Sequence, residues 1–179
     1  MKKIVILALM LVSLVISNHS QEKVEIKEAT NFSYMCMEFR GSHSLIPENM
    51  PILFSEIRKQ FLETKITGDV LGIFFDSSLL GEEKSDFYVL GFRTDQNSLV
   101  ASPLQVRTYE FDKTAEITHH GPYETVSSSF SIILSYIKEN GLEIAGPPAE
   151  IWMGDPSRDN PGDLKTRIII PVRTIQIPK

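Results

Sequence analysis

Two stretches of this chain carry apolar residues at helical spacing, and the segments around them alternate or run apolar as strands do. Val126, Phe130, Ile133, Leu134 and Ile137 build one stripe, which predicts an amphipathic helix. Gly121 is expected as its N-cap, with Pro122 at the first helical position, and Asn140-Gly141 closes it. Met50, Leu53, Phe54, Ile57 and Phe61 give a second stripe, after Pro47 and Pro51 mark a helix start. Strands are predicted over residues 32–39, 70–75, 87–93, 105–119, 149–153 and 165–172. The segment at 105–119 is long enough to carry a bulge. Polar loops around Gly81-Glu82-Glu83-Lys84 and across residues 154–163 join the strand pairs.

Strand alternation puts Glu150 and Trp152 on one face of the 149–153 segment, and Ile151 and Met153 on the other. Burying each large apolar side chain gains roughly 1.5–3 kcal/mol, whereas an exposed ion pair gains roughly 0–1 kcal/mol. Packing is therefore expected to turn Ile151 and Met153 under the second helix. That leaves Glu150 and Trp152 side by side on the free face, with Glu150 pointing into an open cleft.

The two halves echo one another at an offset of about 80 residues. Arg40-Gly41 precedes one helix as His120-Gly121 precedes the other; Thr67-Gly68 recurs as Ala145-Gly146, Asp76-Ser77 as Asp155-Pro156, and Arg93-Thr94 as Arg173-Thr174. Each half reads strand, helix, strand, strand, over about 30–95 and 104–175, with residues 95–103 as the crossover. Both stripes are buried if the chain is an α+β domain: one antiparallel sheet with two helices on the same face. The opposite face is then free to be concave.

Lys2 and Lys3 followed by the apolar run at residues 4–16 form a leader, so residues 1–20 are expected as a signal peptide and residues 24–179 as one exported domain. An uncleaved anchor is the alternative; no later segment is apolar enough to span a bilayer. The formal net charge of −5 becomes more negative without the two leader lysines, and no basic cluster points to nucleic acid. Cys36, the only cysteine, lies in an apolar run and is expected to be buried and inert. His119 and His120 point to opposite faces, so no metal site is assigned. Asp155, Asp159 and Asp163 lack EF-hand spacing and read as a solvated loop. Serines 127–129 show no nucleophile-elbow pattern. No cofactor is expected.

Gly121-Pro122-Tyr123, the helix after it, Gly146-Pro147, Glu150-x-Trp152, Leu164-x-Thr166 and Ile170-Pro171-Val172 together resemble the GyrI-like small-molecule-binding domain. Glu38-Phe39-Arg40-Gly41, Thr67-Gly68 and Gly72-Ile73-Phe74-Phe75 extend the resemblance to the first half. The same domain is the effector-binding part of some AraC- and MerR-type regulators. The resemblance implies a pseudo-twofold pair of strand-helix-strand-strand units with an aromatic-lined cleft between them. A glutamate at the position of Glu150 would meet cationic or polar ligands there. Two residues depart from the family pattern: Trp152 stands where tyrosine is common, and Arg167 where an acidic residue is common.

On this reading the ligand-binding residues are Glu150, Trp152 and Tyr123, with Phe74, Tyr88 and Phe92 as further aromatic lining, in a monomer that binds a lipophilic or cationic small molecule. A half-exposed Glu150 paired with a base such as Arg167 is the competing reading of that residue, and Tyr123 is either a core plug or a cleft hydroxyl. Two other functions follow from kinship alone. One is hydrolysis of a cyclopropane- or epoxide-type electrophile by Glu150 with Tyr123. The other is haem or porphyrin binding, as in the related SOUL fold.

Overall fold

The strands at 105–120 and 165–174, far apart in the expected linear order, are neighbours, and their pairing decides the architecture. The computed structural model describes residues 22–75 and 87–175. The leader expected at 1–20 and the loop around Gly81 lie outside the described residues. The elements are β1 (Glu25–Phe39), α1 (Ile46–Lys59), β2 (Val70–Phe74), β3 (Tyr88–Arg93), β4 (Gln105–His120), α2 (Ser127–Glu139), β5 (Leu142–Ile144), β6 (Ala149–Met153) and β7 (Lys165–Thr174). Each half thus runs strand, helix, strand, strand, with β5 added in the second.

Sheet order is β4-β1-β3-β2-β6-β7-β5, and β4 also pairs with β7, so six antiparallel strands close into a barrel. β5 continues the far end of β7 through Val172, Arg173 and Thr174. Tyr34, Cys36, Leu71, Ile73, Val89, Tyr109, Ile151 and Ile169 fill the interior, with no helical residue among them. Outside, α1 lays Leu53 and Ile57 on Met35, Met37, Leu90 and Phe92. α2 lays Phe130, Ile133 and Ile137 on Ala115, Ile117, Ile168 and Ile170. Both helices are on one face of the sheet, as expected.

The face opposite them is not a free concave surface, because closure makes it the barrel core. Ile151 consequently does not cover the α2 stripe. β7 and β4 do that, and Ile151 turns inward. Glu150 and Trp152 lie on the helix-bearing face, the reverse of the orientation expected above.

Two local details also differ. Gly121, at φ +130°, is no N-cap; it swings the chain out of β4, and a 3-10 turn (Tyr123–Thr125) precedes α2. The α1 stripe is shorter than its spacing suggested. Phe54 only touches the Phe92 ring, at 5.3 Å, and remains largely exposed. Phe61 is 85% exposed, because the helix ends at Lys59 and helical spacing no longer governs a residue at φ +56°.

Candidate functional site

Cross-strand partners share a face of the sheet, so the register fixes what surrounds Glu150. One row on the outer face runs Met37, Leu90, Gly72, Glu150, Ile168, Ile117. The next runs Met35, Phe92, Val70, Trp152, Thr166, His119. Glu150 and Trp152 therefore stand where β2 of the first half meets β6 of the second, in the seam between the patches covered by α1 and α2.

The seam has an aromatic wall on the α1 side. Trp152 packs against the cluster that contains Phe74, Tyr88 and Phe92. Phe74 and Tyr88 lie 6.2 Å apart, and the His43 ring, from the turn before α1, sits 4.5 Å from Phe74 and 5.7 Å from Tyr88. Asn49 of α1 donates to the Tyr88 hydroxyl at 2.7 Å. Gly72 makes this possible: a Cβ there would lie 2.6 Å from Trp152 Cη2 and 2.9 Å from Phe74 Cζ. The two rings converge over a residue that has no side chain.

Glu150 is closed over. It is 6% exposed, and its Oε2 accepts from Trp152 Nε1 at 2.8 Å. Burial pushes its pKa up to about 7, and the indole N–H only partly opposes that shift. Arg167 does not reach it. That guanidinium lies on the inner face and donates through Nε and Nη2 to Glu116 Oε2, at 2.9 and 2.5 Å. The hydroxyls of Thr114 and Thr30 bond the other oxygen of Glu116. Among the described residues no cationic side chain pairs with Glu150.

On the α2 side, Tyr123 is half-buried and donates to the Gly154 carbonyl at 3.1 Å. It pins the turn after β4 to the end of β6, across β7. Its hydroxyl bonds backbone and not Glu150, so the acid–base pair of the hydrolase reading is not assembled. His119 is buried with both ring nitrogens engaged: Nδ1 with Ser129 Oγ at 2.8 Å and with Glu22, Nε2 with Thr125 Oγ1 at 2.9 Å. A haem ligand would have to break those bonds.

Of the six residues expected at the site, Glu150, Trp152, Phe74, Tyr88 and Phe92 share the outer face of the sheet, with Phe92 standing off toward Phe54, and Tyr123 reaches in from the turn after β4. Gly72, His43, Asn49 and Thr166 were missed. An isolated glycine inside a strand pattern, as at Gly72, is a signal for close approach; Thr166 stood only in a motif of the resemblance, and His43 and Asn49 carry no comparable mark. Two open depressions, of about 450 and 950 Å³, lie near Glu116 and beside α2. Neither is lined by Glu150 or Trp152.

A buried acid beside an aromatic wall, where strands of the two halves meet, is the candidate ligand contact of this fold. The model of the GyrI-like small molecule binding domain matches residues 22–173, and the chain belongs to that family. Solved structures share the fold. The EcmrR C-terminal domain gives a TM-score of 0.71 at 13% identity, covering 87% of this chain and 99% of that one. SAV2435, solved bound to tetraphenylphosphonium, gives 0.56 at 12%, covering 84% and 94%. A hydrolase from Listeria innocua gives 0.58 at 14%, covering 84% and 92%. None of the curated proteins compared with the chain matches it in sequence.

Proposed function

We propose that this chain is an exported binding protein for lipophilic organic cations, taken up in the seam at Glu150 and Trp152. The observation that carries the reading is the buried carboxylate of Glu150, which stands beside Trp152 and the aromatic cluster it joins, with only the indole N–H as a hydrogen-bond partner among the described residues. A carboxylate in that setting lacks a counter-charge, and an organic cation supplies one while its apolar body replaces water. Indole faces attract such cations by about 0.5–2 kcal/mol, depending on desolvation. That SAV2435, on the same fold, was solved with a phosphonium cation supports the choice. Lys2, Lys3 and the apolar run after them support export; N-terminal sequencing of the chain recovered outside the cytoplasm checks it.

Because Glu150 is closed over, a ligand must displace the Trp152 indole to reach it. Tetraphenylphosphonium titrated at pH 8 is expected to change Trp152 fluorescence saturably, and to bind several-fold more weakly at pH 6, where the buried carboxyl is protonated. Glu150→Gln should weaken binding at pH 8 and abolish the pH dependence. Equal affinity for wild type and Glu150→Gln, or no binding by either, would defeat the cation reading.

A further inference from the structure

Thr166, in the row that passes through Trp152, is fully buried, and its Oγ1 has no hydrogen-bond partner among the described residues. A buried hydroxyl without a partner has given up water for nothing, and such groups call for a reason. Its polar neighbours are already committed. On one side Trp152 Nε1 donates to Glu150. On the other, both His119 nitrogens are engaged by Ser129 and Thr125. Tyr123, reaching from the turn after β4 to the end of β6, spans the strand that carries Thr166 and spends its hydroxyl on Gly154.

We infer that Thr166 is a specificity-determining ligand contact: once Trp152 leaves the seam, its hydroxyl donates to an acceptor oxygen on the bound molecule while Glu150 takes the positive end. This rests on the binding reading above and narrows it. Thr166 and Glu150 are diagonal neighbours across β6 and β7, which sets their Cβ atoms roughly 7 Å apart, so one small molecule can reach both. The ligand class is then a flat or bulky lipophilic cation bearing an ether or carbonyl oxygen within reach of its charged end. A cation without an acceptor would fill the seam and ignore Thr166.

Thr166→Val keeps the shape and removes the hydroxyl. Two probes separate the contacts: berberine, a fixed cation with ether oxygens, and tetraphenylphosphonium, which has no acceptor. Thr166→Val is expected to weaken berberine about tenfold, leave tetraphenylphosphonium unchanged, and raise the ligand-free melting temperature by about 2–4 °C, since an unpartnered hydroxyl is replaced by a methyl. Thr166→Ser, which retains the hydroxyl, should hold berberine within about threefold of wild type. If Glu150→Gln weakens both probes but Thr166→Val affects them alike, or lowers the melting temperature, the Thr166 assignment fails while the cation site stands. If neither probe binds, or Glu150→Gln changes neither affinity, the cation site falls and Thr166 with it.

Discussion

A carboxyl held near neutrality inside a sheet is a conditional charge, and Glu150 makes that condition measurable. Its pKa rises from the ordinary 4.5 to about 7 on folding, mainly through burial. Between those two values the folded chain holds a proton that the unfolded chain has released. The contribution of Glu150 is thus fully present below pH 4.5 and is lost as pH climbs through about 7. A gap of about 2.5 at about 1.4 kcal/mol per pH unit sets the loss at about 3.5 kcal/mol. Glu150→Gln keeps an acceptor for the Trp152 N–H but cannot titrate. In urea unfolding it should therefore be more stable than wild type at pH 8, by up to that amount, with the advantage shrinking toward pH 5. A difference that is flat across this range would mean a solvated carboxyl. The identity of Glu150 and its pairing with Trp152 on one strand face were legible from residues two apart. Its burial was not, because its cross-strand neighbours Gly72 and Ile168 come from other strands.

At the scale of the element, β6 was placed within its observed bounds and oriented the wrong way round. Alternation defines two faces but cannot say which neighbour each face meets. Ile151 was assigned to α2 because that stripe needed cover, yet Ile168, Ile170, Ala115 and Ile117 were available to supply it. The same element carries a test at Gly72, its partner on β2. In Gly72→Ala the new methyl would meet the tip of the Trp152 ring at 2.6 Å. The indole must tilt, which strains its bond to Glu150. Overpacking of this kind costs about 1–3 kcal/mol. Ligand-free Gly72→Ala should melt lower and emit at longer wavelength as Trp152 moves toward solvent. An unshifted emission spectrum would show that the indole has room the geometry denies it. Helix α1 teaches a related lesson: Phe61 obeys the spacing of its stripe, but the helix stops two residues short of it.

For the whole molecule, the β4–β7 pairing is the decisive contact. It joins the first strand of the second half to the last, shuts the barrel, and converts a supposed ligand face into core. Cys36 reports on that closure. It is fully buried inside, and burial pushes its thiol pKa up to about 12. An external disulfide reagent should leave Cys36 unmodified in the native state, and modification should become complete in denaturant along the same curve as loss of Trp152 signal. Such labelling tracks global opening. Fast modification under native conditions would mean that the barrel opens locally between β1 and its neighbours.

The two amphipathic stripes, the strand segments and the α+β class were decided by periodicity, because helix and strand repeat at different intervals and each demands one buried side. The candidate acid and its aromatic neighbour were decided with them, being local in sequence. What surrounds those residues depended on register between strands about 80 residues apart in the chain, which no local pattern encodes. Only the folded chain could show that one face of the sheet closes on itself, and that the seam left between two helices holds Glu150, Trp152 and the unpartnered hydroxyl of Thr166. Closure takes Cys36, Leu71, Ile73 and Val89 out of water, and the binding proposed above therefore falls to the outer face, where the helices do not meet.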